Sequence, residues 1–178
     1  MKPFTISKEF EYYFCTDTIV GWQYVFTSFP MFNIIVDALK YCRKEKGLRI
    51  HGYVIMPNHL HTILSARDGN LSDILRDFKR FTSRRISEQL EESHNNRLLR
   101  YFSTAAARAG KGNDHKVWRS GSHPIALYAD YLFDQKLNYI HQNPVRKGYV
   151  EAPEHWLFSS ARNYAYNDHS ILEIDLIQ

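Results

Sequence analysis

Cysteine is scarce in this chain. Cys15 and Cys42 are the two present, and their separation matches no zinc-type spacing. Two isolated thiols exclude a disulfide-stapled scaffold and suit a reducing compartment. Long apolar runs are missing too, since nothing approaches the roughly 20 residues that a membrane-spanning helix needs. The N-terminal stretch MKPFTISKEFEYYF lacks the continuous apolar core of a secretory signal. These absences predict a soluble, cytoplasmic protein with no membrane partner. Acidic residues are the minority charge, 19 against 23 Lys and Arg, for a net charge of +4 and a pI near 9.0. That balance points towards a polyanionic partner without establishing one.

What is present is apolar and aromatic material: 44% hydrophobic and 15% aromatic in 178 residues. The profile is far from that of a disordered chain and predicts one domain, 1–178, with a core from about residue 10 to 166. FEYYFCTDTIV (10–20) is aromatic and β-branched and reads as a first strand. Trp22, Tyr24 and Phe26 alternate in the loop that follows. Phe32, Ile35, Val36, Leu39 and Cys42 keep helical spacing up to a capping Gly47. Residues 48–56 and 59–65 read as a strand pair around Pro57-Asn58. Asn70 opens a second helix over about 71–90, with Leu71, Ile74, Leu75, Phe78 and Phe81 on its buried face. Residues 92–116 lose periodicity and read as a flexible basic loop. A short strand is predicted at 116–119 and a third helix over about 125–143, ended by Pro144. The order β-α-β-β-α-β plus a C-terminal helix predicts an α+β, ferredoxin-like (split βαβ) antiparallel sheet, with helices on one face and an added C-terminal helix.

Two segments carry chemistry. His59-Leu60-His61 opens the third strand, and alternation puts both imidazoles on one face with Leu60 behind them, a spacing able to chelate one divalent ion. In the third helix, KLNYIHQNPVRKG, Tyr139 and Asn143 stand one turn apart at the edge of the apolar face formed by Leu132, Phe133, Leu137 and Ile140. Lys136 lies one turn before Tyr139. Tyr128 and Tyr131 fall towards the polar side. A third feature is a stripe of Arg76, Lys79, Arg80 and Arg84 opposite the apolar face of the second helix. From Arg76 to Arg85 five cations stand against Asp77 alone, which favours phosphate contact over a merely solvated face. Arg97, Arg100, Arg108 and Lys111 extend the basic character.

VIMPNHLHTIL, followed by KLNYIHQNPVRKGYV and PEHWLFSSARNY, resembles the single-tyrosine HUH transposases (IS200-like), and most of all their REP-associated tyrosine transposase branch. The resemblance implies that His59 and His61 hold a metal, that Tyr139 is the nucleophile, and that Asn143 is the third ligand. Insertion-sequence relatives commonly carry Gln at that place, and His141 is a competing candidate. It further implies Mg2+ or Mn2+ as cofactor, single-stranded or hairpin DNA as partner, and a monomer or homodimer. Transesterification by the Tyr139 hydroxyl would leave a 5′-phosphotyrosine and a free 3′-OH able to rejoin the strand. Lys136 is an auxiliary candidate beside it. Two alternatives stand beside this expectation. One is a non-catalytic DNA-hairpin-binding protein on the same fold. The other is a ferredoxin-like RNA-binding module, against which the paired histidines argue.

Overall fold

The structure is a computed structural model describing residues 11–110, 114–121 and 124–176. The expectations placed on Phe10 and Lys111 lie outside the described residues. Strands Tyr12–Thr18 (β1), Leu48–Met56 (β2), His59–Ala66 (β3) and Ile125–Leu127 (β4) form one antiparallel sheet in the order β2-β3-β1-β4. The helices are Phe29–Lys46 (α1), Leu71–Glu92 (α2), Asn96–Ala109 (α3), Asp130–Arg146 (α4) and Ala161–Tyr166 (α5). This is the ferredoxin-like α+β arrangement that the sequence predicts. Gly47 ends α1 as foreseen, in the left-handed region at φ 68°, its N–H donating to the Cys42 carbonyl.

Strand alternation divides the core between the two sheet faces. Tyr13, Cys15, Tyr53, Ile55, Leu60 and Leu64 point towards α1 and α2. Phe14, Val54, Met56 and Ile63 point the other way, where Phe133 and Ile140 of α4 cover them. A bulge between Ile50 and Gly52 shifts the β2–β3 register. A Cβ at Gly52 would lie 2.8 Å from Leu137 Cδ1, so the missing side chain lets α4 sit directly on the sheet. His51, the extra residue of the bulge, is occupied structurally: Nδ1 contacts the Asp175 carbonyl at 2.7 Å and Nε2 the Ser65 hydroxyl at 2.9 Å. The outer edge of β2 is covered by the C-terminal segment, with Ile55 N–H donating to Phe158, Ser160 N–H to Tyr53, and Asp175 N–H to Ile50. That pairing removes an edge open to aggregation.

Four expectations need correction. Most of the supposed loop 92–116 is a helix, α3. Leu98, Phe102 and Ala106 keep helical spacing on its buried side, and Asn95 Oδ1 accepts from the Leu98 N–H at 3.2 Å. The run of small alanines masks that period in the sequence. Residues 116–119 contribute an isolated bridge, Ile19 to Trp118, and the fourth strand comes later, at Ile125–Leu127, where a helix was expected. Helix α4 passes through Pro144 to Arg146, because the following turn is completed by the Lys147 N–H donating to Asn143. Finally, Phe81 is exposed rather than buried. Thr82 takes the inward position, donating to the Phe78 carbonyl at 2.8 Å and accepting from Trp118 Nε1 at 2.9 Å.

Candidate active site

β3 begins with His59 and His61 side by side on the face turned towards α4, their ring centroids 4.7 Å apart. Leu60 between them is 1% exposed and belongs to the opposite cluster. Helix α4 lays Lys136, Tyr139 and Asn143 along this face. The Tyr139 ring lies 5.2 Å from that of His61 and edge-on to Phe14 at 5.9 Å. Phe14 in turn stacks on His61 at 5.4 Å. The sheet and α4 thus bring together two pairs, His59 with His61 and Tyr139 with Asn143, that lie about eighty residues apart in the sequence.

Neighbours fix the orientation of the imidazoles. The Asn58 Oδ1 lies 2.7 Å from His59 Nδ1, and because a carboxamide oxygen only accepts, Nδ1 carries the proton. Nε2 is then left with its lone pair. His61 Nδ1 meets the Thr16 hydroxyl at 2.8 Å, which fixes the orientation of that ring. Burial lowers both pKa values, to about 4 for His59 and about 3 for His61. Lys147 adds to the effect at His59, opposed by Asn143, while His59 and Lys136 add to it at His61. Both rings are therefore neutral near pH 7, the form that ligates metal.

Asn143 is 6% exposed, and its Oδ1 is buried with no hydrogen-bond partner. It faces His59 closely enough to favour that ring's protonated form, yet no bond of ordinary geometry satisfies it. An orphaned buried carbonyl is costly in a native structure and calls for an explanation such as an ion. Two imidazoles and a carboxamide oxygen form a donor set that fits Mn2+ or Mg2+, with water and phosphate completing the shell. Among the described residues no group of three or more His, Cys, Asp or Glu side chains is arranged to hold a metal ion. His141 is engaged elsewhere. Its Nε2 contacts the Ser160 hydroxyl at 2.9 Å and its ring lies 5.3 Å from Tyr164, on the side of α4 turned to α5.

Cations surround Tyr139. The Lys136 ammonium stands 5.0 Å from the Phe14 ring centroid and 5.9 Å from that of Tyr139. The Arg146 guanidinium lies 5.1 Å from the Tyr139 ring on the C-terminal side. The sequence reading assigned no role to Arg146, Lys147, Asn58 or Thr16. The VRKG run after Pro144 carried a signal for the first two, provided the helix was continued past the proline. Tyr128 and Tyr131 are exposed near the start of α4, remote in character from the packed ring of Tyr139.

The basic stripe divides. Lys79 turns to the buried Asp17 of β1, its Nζ 2.5 Å from Oδ1, so it faces an interior carboxylate as well as the groove that the stripe lines. Arg76, Arg80 and Arg84 remain exposed. Their pairs with Asp73, Asp77 and Glu88 at 2.6, 3.4 and 3.4 Å are surface contacts that contribute little. The three line a groove of about 890 Å3 that also takes in Lys116 and Arg119. Arg119 donates its backbone N–H to Thr18, and Thr18 pairs with His59, so one lining residue of the groove is tied to the end of β1 that pairs with the start of β3. Among the described residues no helix is long and apolar enough to cross a membrane.

No curated protein matches the chain. The family model described as "Transposase IS200 like" matches residues 25–105, a stretch that contains both histidines and stops before α4. The solved structure of a REP-associated tyrosine transposase bound to a REP hairpin superposes with a TM-score of 0.59 at 20% sequence identity, covering 94% of this chain and 93% of that one. The resemblance of this chain to the IS200-like transposases therefore holds in sequence over residues 25–105, and in fold across nearly its whole length.

Proposed function

We propose that the protein is a metal-dependent single-strand DNA transesterase that nicks and rejoins hairpin-forming repeat DNA through a 5′-phosphotyrosine. The observation that carries this reading is the unsatisfied Oδ1 of Asn143, buried beside His59 on the turn of α4 that follows Tyr139. His59, His61 and Asn143 are the residues that would hold the ion. When bound, Mg2+ or Mn2+ supplies Lewis-acid polarisation of the scissile phosphate. Thr16 and Asn58 orient the imidazoles, as outer contacts do in metal sites generally.

Tyr139 supplies the nucleophile. Its hydroxyl oxygen bonds to phosphorus as the bond from phosphorus to the 3′ oxygen breaks. The phenol gives up its proton and the departing 3′ oxygen gains one, leaving the 5′ phosphate on the tyrosine. Rejoining is the reverse attack by the 3′-OH. The Lys136 ammonium and the Arg146 guanidinium stand beside the ring, where they can meet the charge of a bound phosphate. Arg76, Arg80 and Arg84 contribute phosphate contacts outside the reacting centre. The REP hairpin in the structurally similar transposase supports DNA of that shape as the substrate here.

The test is incubation of the purified protein with single-stranded hairpin DNA and Mn2+, followed by denaturing electrophoresis. A nicked strand together with a covalent protein–DNA species is expected, and both disappear with EDTA. Tight hairpin binding with no nick under any metal would instead identify a non-catalytic hairpin-binding protein.

A further inference from the structure

Trp22 is absorbed neither by the core nor by the reaction described above. It is 54% exposed, whereas Trp118 is 7% exposed and Trp156 packs against Tyr149 and Phe32. Its backbone is in the left-handed region at φ 55°, directly after Gly21 at φ 63°, an unfavourable conformation for a bulky residue that persists only where the surroundings impose it. Here they do. The Trp22 N–H donates to Ile19 at 3.0 Å, and the carbonyl accepts from Asn58 Nδ2 at 3.4 Å. A Cβ at Gly21 would fall within 1.9 Å of the Tyr101 hydroxyl, so α3 closes on the turn and only glycine fits.

The strained turn delivers the indole to one place. Its ring lies edge-on to His59, centroids 5.9 Å apart. The same Asn58 side chain that receives the His59 Nδ1 proton holds the Trp22 carbonyl, so the indole and the candidate ligand share one support. Tyr24, two residues further on, and Tyr149, which hydrogen-bonds to it, are 56% and 44% exposed. Lys147 acts on His59 from the same region, and Arg97 reaches the side chain of Gln23 at 3.0 Å. An exposed indole set against His59, with a cation acting on His59 and another at Gln23, fits an unpaired nucleotide, whose base stacks while its phosphate meets the charges. Paired duplex bases offer no such face.

We infer that Trp22 is a stacking platform for an unpaired base flanking the scissile phosphate, so that the single-stranded flank, not the hairpin stem, is what this corner of the site reads. This rests on the DNA-cleaving function proposed above. The test compares two DNAs: the hairpin ending flush with its stem, and the same hairpin carrying a single-stranded flank. Wild-type protein should prefer the flanked DNA by roughly tenfold, within the range that one base–aromatic stack supplies, and should lose tryptophan emission on binding it.

Trp22→Ala should abolish the preference and the quenching while keeping the affinity for the flush hairpin. Trp22→Asn, a residue suited to the left-handed backbone, should behave as Ala does, and Trp22→Phe should recover part of the preference. An abasic site at one flank position should weaken wild-type binding and leave Trp22→Ala unaffected, which locates the stacked base. A flank preference that survives Trp22→Ala would overturn the assignment, as would an equal loss on the flush hairpin or a wild-type protein indifferent to the flank. A wild-type protein that shows the preference but forms no covalent adduct would overturn the enzymatic reading and support the platform.

Discussion

Tyr139 of α4 and His61 of β3 lie ring to ring at 5.2 Å, across the seam where the helix settles on the sheet. Nothing in the strand or the helix alone requires that meeting. It follows from the bulge at Ile50/Gly52 and the bare Gly52, which let Leu137 and hence the whole helix come close. From this juxtaposition and the orphaned Asn143 oxygen come expectations that separate a working site from a packing arrangement.

The metal set is tested by titration. Mn2+ binding to the wild-type protein, followed by calorimetry, should weaken by tenfold or more in Asn143→Ala and in His59→Ala, by analogy with the penalty for disturbing metal shells. His141→Ala should bind the ion like wild type, since that ring is held at Ser160. Equal weakening by His141→Ala would place the site elsewhere on α4.

On α2, Lys79 is paired with the buried Asp17 while Arg76, Arg80 and Arg84 stand exposed. Lys79→Ala strands the Asp17 carboxylate in the interior without this cation and should destabilise folding by on the order of 3 kcal/mol, read from urea denaturation. Arg80→Ala with Arg84→Ala should leave the denaturation midpoint nearly unchanged, since exposed charges contribute little. The pair should weaken binding to DNA of any sequence and flatten its salt dependence. A stable Lys79→Ala protein would contradict the ion pair with Asp17.

Acid should weaken the metal-free protein early. The folded pKa values of His59 and His61, about 4 and about 3, lie below the ordinary 6.5 of the unfolded chain. Above pH 6.5 both states are neutral and the rings have no effect. As the pH falls from 6.5 towards 4, the unfolded chain takes up protons that the folded one refuses, so stability declines. At pH 5 the loss should be about 1–2 kcal/mol per histidine. His61→Asn should flatten the stability–pH curve between pH 6.5 and 4, measured by thermal melting in EDTA. A wild-type curve with no slope in that window would mean that the rings are not buried as described.

Much of this was legible in the sequence because local rules agreed with the fold. Alternation alone placed His59 and His61 on one face with Leu60 behind, and helical spacing put Tyr139 and Asn143 one turn apart. Local pattern could not report how elements meet. The inward turn of Lys79 depends on Asp17, from a strand far away in sequence. The exposure of Phe81 depends on Trp118 claiming Thr82 as its acceptor. Helix α3 was obscured by alanines, which fit any environment, and the reach of α4 past Pro144 by a rule that holds for helix interiors better than for last turns. Arg146 and Lys147 became visible as neighbours of the site only through that extra turn.

The most direct measurement is the identity of the residue that becomes attached to DNA. Wild-type protein and Tyr139→Phe are each incubated with single-stranded hairpin DNA and Mn2+, then digested and mapped by mass spectrometry. The phenylalanine keeps the ring and its contacts with His61 and Phe14, so folding and hairpin binding should be unchanged. The account predicts a nucleotide on the peptide containing Tyr139 in the wild type, and neither adduct nor nick in the variant. A covalent adduct of wild-type yield on Tyr139→Phe, or one mapped to Tyr128 or Tyr131, would contradict it.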